Sequence, residues 1–227
     1  MVHVDKTNFK GDPNIGLYAV ATDSFVLLGE KLNEKQTALL AEVLGVPIIT
    51  SKIYGTPFAG IFCVANKNTL LVPDIIFDEE FESLQKQLKG IVEVKKFKTV
   101  HTALGNTVLA NDKHAIISDD FSDSEVKKIA DELKVKAKKI KIAESNVPGA
   151  YGILTNKGGM FGSITSDPSV KELEKLLKIE VGIGTVSTGS SIVSSGVIAN
   201  SNGFLVSSNS SGFELGRLDE SLGFIGK

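Results

Sequence analysis

A pattern that returns five times at nearly constant intervals constrains this chain more than any single motif. The segments Ala19-Val-Ala-Thr-Asp, Cys63-Val-Ala-Asn-Lys, Val108-Leu-Ala-Asn-Asp, Ile153-Leu-Thr-Asn-Lys and Val197-Ile-Ala-Asn-Ser each read as two apolar residues, a small residue, Thr or Asn, and a polar residue. The small residues are Ala21, Ala65, Ala110, Thr155 and Ala199, spaced by 44, 45, 45 and 44 positions. Six places after each stands an apolar residue: Leu27, Leu71, Ile116, Phe161 and Leu205. Periods of this length mark repeat architectures, in which one unit cannot bury its apolar face alone and must stack on a neighbour.

The order inside each unit predicts an α/β fold. The repeated pattern reads as a strand, a tight turn at Thr or Asn, and a second strand. Helices are predicted over 33–44, 78–88, 122–133 and 167–177, each beginning with a residue type (Asn33, Asp78, Ser122, Asp167) whose side chain accepts a free backbone N–H. Ser122 with Glu125 matches a capping box and Asn33 with Gln36 resembles one. Apolar residues at helical spacing, such as Val126, Ile129, Ala130 and Leu133, support the assignment. β-rich stretches follow at 46–53, 91–97, 135–143 and 179–186.

The approximate repeats are 16–59, 60–104, 105–151 and 152–195, with 196–227 too short for a unit. Residues 1–15 restore the missing length, so 2–9 are expected to supply a strand to the fifth unit and close a pseudo-fivefold, propeller-like ring. The whole chain then forms a single domain. The alternative is an open α/β array, which would show atypical capping ends.

Composition bounds function. The 227 residues carry 25 Lys and Arg against 27 Asp and Glu, a net charge of -2, which argues against a general nucleic-acid binder. One cysteine excludes an internal disulfide and fits a reducing compartment. Charged residues Asp5, Lys6 and Lys10 break any signal core, and no apolar run spans a bilayer, so a cytoplasmic monomer with no membrane partner is expected.

Catalytic and metal chemistry find little support in the residues. Cys63 shares its repeat position with Ala19, Val108, Ile153 and Val197, which points to core packing. His3, His101 and His114 lack zinc-site spacing and read as surface residues. Gly182-Ile-Gly184 is followed by Ser187 where a dinucleotide fingerprint needs glycine, and no Gly-Lys-Ser/Thr phosphate loop occurs. No catalytic residue, metal or cofactor is therefore expected. Small residues over 187–211 read as close strand packing. The lysines at 95–98 and 127–141 read as a solvated face balanced by Glu125, Asp131 and Glu132. The turns Thr22-Asp23, Asn66-Lys67, Asn111-Asp112, Asn156-Lys157 and Asn200-Ser201 suit turn geometry, because Asn tolerates positive φ; a ring would also gather them on one polar face open to a partner.

The segments Asn14-Ile-Gly-Leu-Tyr-Ala, Cys63-Val-Ala-Asn, Leu70-Leu-Val-Pro, Ala103-Leu-Gly-Asn, Ala110-Asn-Asp, Asn156-Lys-Gly-Gly and Gly184-Thr-Val resemble translation initiation factor 6 of archaea and eukaryotes, in the same order along nearly the whole chain. No long tail follows Gly226, as in the archaeal form. The resemblance implies a pentein fold of five αβ units. It also implies binding to the large ribosomal subunit at its intersubunit face, blocking premature joining of the small subunit. The partner it implies is chiefly ribosomal protein uL14, with the sarcin–ricin loop of the rRNA nearby. Positions matching the family's functional region are Asn66, Asn106, Asn111 and Asp112, to which Tyr151, Asn156 and Asn200 are added as further face residues. Ile61 departs from the arginine of eukaryotic members. The alternative reading is a pentein-fold guanidine-modifying enzyme, but such enzymes place a nucleophilic Cys late in the chain, and none follows Cys63 here.

Overall fold

The short apolar runs of the sequence become the middle strands of five three-stranded sheets. The computed structural model describes residues 2–142 and 145–226. The chain opens with β1 (Val4–Thr7). The first unit then runs through a 3-10 turn (Ile15–Tyr18), β2 (Ala19–Ala21), β3 (Val26–Leu28), α1 (Glu34–Leu44) and β4 (Ile48–Thr50). The second comprises α2 (Ala59–Phe62), β5 (Val64–Ala65), β6 (Thr69–Pro73), α3 (Asp78–Gln87) and β7 (Glu93–Phe97). The third comprises α4 (Leu104–Thr107), β8 (Val108–Ala110), β9 (His114–Ile117), α5 (Asp123–Leu133) and β10 (Lys136–Lys139). The fourth comprises α6 (Pro148–Tyr151), β11 (Gly152–Leu154), β12 (Gly159–Gly162), α7 (Asp167–Leu177) and β13 (Val181–Gly184). The fifth has a 3-10 turn (Val193–Gly196), β14 (Val197–Ala199), β15 (Phe204–Ser207) and α8 (Gly212–Ser221).

Each sheet joins an antiparallel hairpin to a third strand that returns parallel after the helical crossover, as Val26 pairs with Ile48. In the fifth sheet the third strand is β1: Val4 pairs with Phe204 and Thr7 with Ser207, in parallel. The first strands touch in succession, β2 with β5, β5 with β8, β8 with β11 and β11 with β14, and β14 also touches β2. The short helices before them make the same succession of contacts.

The core lies between units. On β3, Leu27 packs with Leu70, Val72, Leu84 and Leu88 of the second unit, whereas Val26 and Leu28 pack with Leu40, Ile198 and Leu205 on the other side. Both faces of the middle strand are thus buried, which is why it reads as a continuous apolar run instead of an alternation. Glycines set the spacing at the inner ends. A Cβ on Gly60 would lie 2.0 Å from the Gly16 carbonyl oxygen, one on Gly105 2.0 Å from that of Gly60, and one on Gly149 2.0 Å from that of Gly105.

The helices correct the sequence reading in detail. Asn33 and Ser122 cap α1 and α5 as expected, each accepting the N–H three residues on. The cap of α7 is Ser166, with Asp167 already inside the helix, and the cap position of α3 is Phe77, with Asp78 inside. Side-chain oxygens at the first helical position favour the dipole there without making the cap bond. The expected strand over 135–143 is realised as β10, and its last residue, Ala143, falls outside the described residues.

One register needs shifting. In every unit the turn is closed by an N–H to carbonyl bond across three residues: Thr22 to Phe25, Asn66 to Thr69, Asn111 to His114, Thr155 to Gly158 and Asn200 to Gly203. Thr155 is therefore the equivalent of Asn66 and not of Ala65, so Leu154 matches the small residue and Gly152, not Ile153, matches Cys63. Met160, paired with Ile153, then replaces Phe161 as the equivalent of Leu27. Thr155 closes its turn with a hydroxyl, as Thr22 does, where Asn closes the other three, and both Met160 and Phe161 are buried, so neither turn chemistry nor hydropathy exposed the slip.

Candidate functional site

The five hairpin turns gather around a cavity of about 20 Å³ lined by Thr22, Asn66, Asn111, Thr155 and Asn200 and their neighbours. It shares Ala21, Ala65, Ala110, Leu154 and Ala199 with a second cavity of about 90 Å³, whose lining adds Gly16, Gly60, Gly105, Gly149 and Ser194. The seven residues singled out from the sequence divide between the two ends of the first strands. Asn66, Asn111, Asp112, Asn156 and Asn200 follow those strands; Asn106 and Tyr151 precede β8 and β11, on α4 and α6. A strand of three residues spans roughly 10 Å, so the two groups do not form one cluster.

At the turn end the polar atoms are committed to the fold. Asn66 Oδ1 accepts from the N–H groups of Asn68 and Thr69, and its Nδ2 donates to the carbonyls of Asn111 and Leu133. Asn111 accepts from Lys113 and His114 and donates to Thr155. Asn200 accepts from Asn202 and Gly203 and donates to Thr22 and Leu44. All three are buried. The adjoining residues form an outer network: Asp112 Oδ1 accepts from the Lys67 N–H, Asn156 Oδ1 accepts from the Asp112 N–H, and Asn156 Nδ2 reaches both Asp112 and Asp23 at 2.8 Å. Asp23 in turn accepts from the Ser201 N–H.

At the other end, Asn106 and Tyr151 are partly exposed. Among the described residues, no hydrogen bond engages the Asn106 side-chain amide or the Tyr151 hydroxyl. These are the predicted site residues with polar atoms open to a partner.

Other candidates resolve into structure. Cys63 is 2% exposed, and burial pushes its thiol pKa far up, so no thiolate is available. The surface reading fails for His114, which is buried at the start of β9; burial, then the charges of Lys136, Lys113 and Lys178, hold its pKa down. His3 meets Asp219 at 2.9 Å and stacks on Phe224. Much of the lysine-rich face is paired: Lys95 with Glu132, Lys96 with Asp78, Lys138 with Glu172 and Lys139 with Asp123, all within 2.8 Å. Among the described residues no group of His, Cys, Asp or Glu could hold a metal ion, and no helix is long and apolar enough to cross a membrane.

Sequence reasoning missed a device that recurs at the helix starts. The third residue of each long helix bonds the loop entering its unit: Gln36 to the Asn8 carbonyl, Glu80 from the Tyr54 and Gly55 N–H groups, Glu125 from the Thr99 hydroxyl, Ser169 to the Lys141 carbonyl and Glu214 from the Thr188 and Gly189 N–H groups. The signal was the spacing of these positions, 44 or 45 residues, hidden by their change of residue type.

Comparison with known proteins agrees with this architecture. The model of the eIF-6 family matches residues 4–221. "Translation initiation factor 6" of Thermococcus gammatolerans is 39% identical, covering 99% of this chain and 100% of its own length. The protein of the same name from Pyrococcus abyssi is 38% identical over the same shares, and that of Saccharolobus islandicus is 36% identical over 98% of this chain and 100% of its own.

Proposed function

The chain belongs to the eIF-6 family, and from that premise we propose that it is a ribosome anti-association and subunit-biogenesis factor. It binds the large ribosomal subunit at its intersubunit face and prevents premature association with the small subunit. The observation that carries this reading is the match over residues 4–221, end to end with the five-unit architecture. The protein is a non-catalytic translation factor: its single thiol is sealed in the core, which leaves the guanidine-modifying alternative without a nucleophile.

The proposal extends to architecture and partners. The five units form a closed pseudo-fivefold ring, a pentein, with repeats near 16–59, 60–104, 105–151, 152–195 and 196–227 completed by 1–15. The pairing of β1 with β15 and the contact of β14 with β2 support this. The partner surface is chiefly ribosomal protein uL14, with the sarcin–ricin loop nearby. A chain with 25 basic and 27 acidic side chains is poorly suited to depend on phosphate. Direct contact runs through Asn106 and Tyr151, whose polar atoms are open; Asn66, Asn111, Asp112, Asn156 and Asn200 act by fixing the turn end. The molecule works as a cytoplasmic monomer.

Cosedimentation with separated ribosomal subunits tests this. The expected result is binding to the large subunit, loss of joining to the small one, and a shallow salt dependence equivalent to about three phosphate contacts or fewer. Asn106→Ala with Tyr151→Ala should weaken binding and leave the unfolding midpoint in place. Preferential binding to the small subunit would overturn the reading.

A further inference from the structure

Two positions between the first and second units hold aromatic rings where backbone physics asks for other residues. Tyr54 and Gly55 form the turn between Ile53 and Thr56, with φ of +52° and +73°. Turns with two positive φ values favour Asn, Asp and Gly. Equivalent turns carry Lys10-Gly11 and Ser187-Thr188-Gly189, so a side chain at positive φ recurs there, but neither turn holds an aromatic ring. Phe77 occupies the cap position of α3, where Asn33, Ser122, Ser166 and Ser211 each accept a helix N–H in the other long helices. A phenyl ring cannot.

Neither ring is repaid by burial. Tyr54 is 47% and Phe77 51% exposed, and they lean on each other with centroids 5.0 Å apart and planes 46° apart. Glu80 fixes the frame beneath them, accepting the N–H groups of Tyr54 at 2.7 Å, Gly55 at 2.8 Å and Phe77 at 3.3 Å. Two aromatic rings in contact and half exposed, one on a left-handed turn residue and one in place of a helix cap, mark a surface kept for a partner.

The surroundings specify its chemistry. Phe77 lines an open groove of about 550 Å³ with Asp74, Ile76, Asp78, Glu79 and Lys96. Lys96 answers Asp78 at 2.6 Å. Among the described residues, Asp74 and Glu79 have no ion-pair partner. Exposed ring faces beside open carboxylates fit a guanidinium, which stacks on the ring and donates to carboxylate oxygens together. We propose that the Tyr54–Phe77 pair and this groove dock an arginine-bearing peptide segment of a partner protein. The proposal does not rest on ribosome binding.

Fluorescence anisotropy of a labelled peptide alternating arginine and glycine, titrated with the full chain, tests it. The arginine peptide should bind, its lysine counterpart should bind several-fold more weakly, and a glutamate peptide and oligouridylate should not bind. Tyr54→Gly with Phe77→Ser should weaken binding by about tenfold or more while the unfolding midpoint holds or rises, because glycine accepts positive φ and serine restores the cap. Asp74→Asn with Glu79→Gln should also weaken it and flatten its salt dependence. Undiminished binding by the aromatic double variant, equal binding of the RNA oligonucleotide, or a lowered midpoint that assigns the rings to the fold would each overturn the proposal.

Discussion

The side-chain amide of Asn200 donates to the carbonyl of Thr22 at 3.0 Å, and the same nitrogen reaches the carbonyl of Leu44 at 2.8 Å. The fifth unit is thereby bonded to the first as Asn66 bonds the second to the third. Only a carboxamide can accept two turn N–H groups and donate to two carbonyls from one site. Asn200→Ala, which leaves these buried groups unpaired, is expected to lower stability by about 2–4 kcal/mol in urea unfolding. Asn200→Asp keeps the acceptor and loses the donors, and should be nearly as damaging.

Removal of residues 2–9 takes away β1 and with it Phe9, which is 1% exposed. Burial of Phe9 alone contributes about 1.5–3 kcal/mol, so a loss of at least that size is expected. The uncovered edge of β15 should also pair with other chains, seen as rising light scattering at low temperature. An unchanged unfolding midpoint and a monomeric scattering profile would contradict this.

Gly105→Ala would set a Cβ 2.0 Å from the Gly60 carbonyl oxygen and 2.8 Å from that of Cys63. Both obstacles are backbone, so the units themselves must separate. A destabilisation of about 3 kcal/mol or more is expected. Gly216→Ala is the control: it lies inside α8, where an added Cβ meets nothing within 4 Å, and should stabilise by roughly 0.5–1 kcal/mol.

Glu214 contributes to the acid response. Burial alone would raise its pKa, but the N–H groups of Ser211, Gly189 and Thr188 and the Thr185 hydroxyl outweigh this and hold it at about 2, against 4.5. A depressed folded pKa adds stability that is complete above the unfolded value and fades as pH falls from about 4.5 toward 2. Wild type should therefore lose about 2–3 kcal/mol more than Glu214→Gln over that window, measured by urea unfolding at stepped pH. Parallel acid profiles for the two proteins would remove Glu214 from the account.

The repeat and the strand that residues 2–9 give the fifth sheet were legible because length and period are counted along the chain, and strand burial leaves apolar runs at fixed places. The fourth register was not legible, because Thr155 can pass for the small residue and the next letters, Asn156-Lys157, imitate Asn66-Lys67 one place late. The fifth helix, with Ser211 and Glu214 forming a capping box, was passed over because Gly212 and Gly216 weaken its helical signal. The candidate site was half legible: the recurring turn pattern picked out Asn66, Asn111 and Asn200, but the demand for inter-unit carbonyl partners that buries their amides is a tertiary fact. That Asn106 stands at the far end of β8 from Asn111 follows only once the strand between them is known.

The parallel pairing of Asp5 with Leu205 also fixes an order of events during synthesis. β1 is synthesised about 200 residues ahead of its partner β15, so it waits unpaired while the strands of the other four sheets are made. Its sequence is suited to waiting: Asp5 and Lys6 are exposed and charged, which discourages premature pairing with a neighbouring nascent chain. The fifth sheet can therefore be completed only after every strand of the other four has been made, and a half-made chain lacks it.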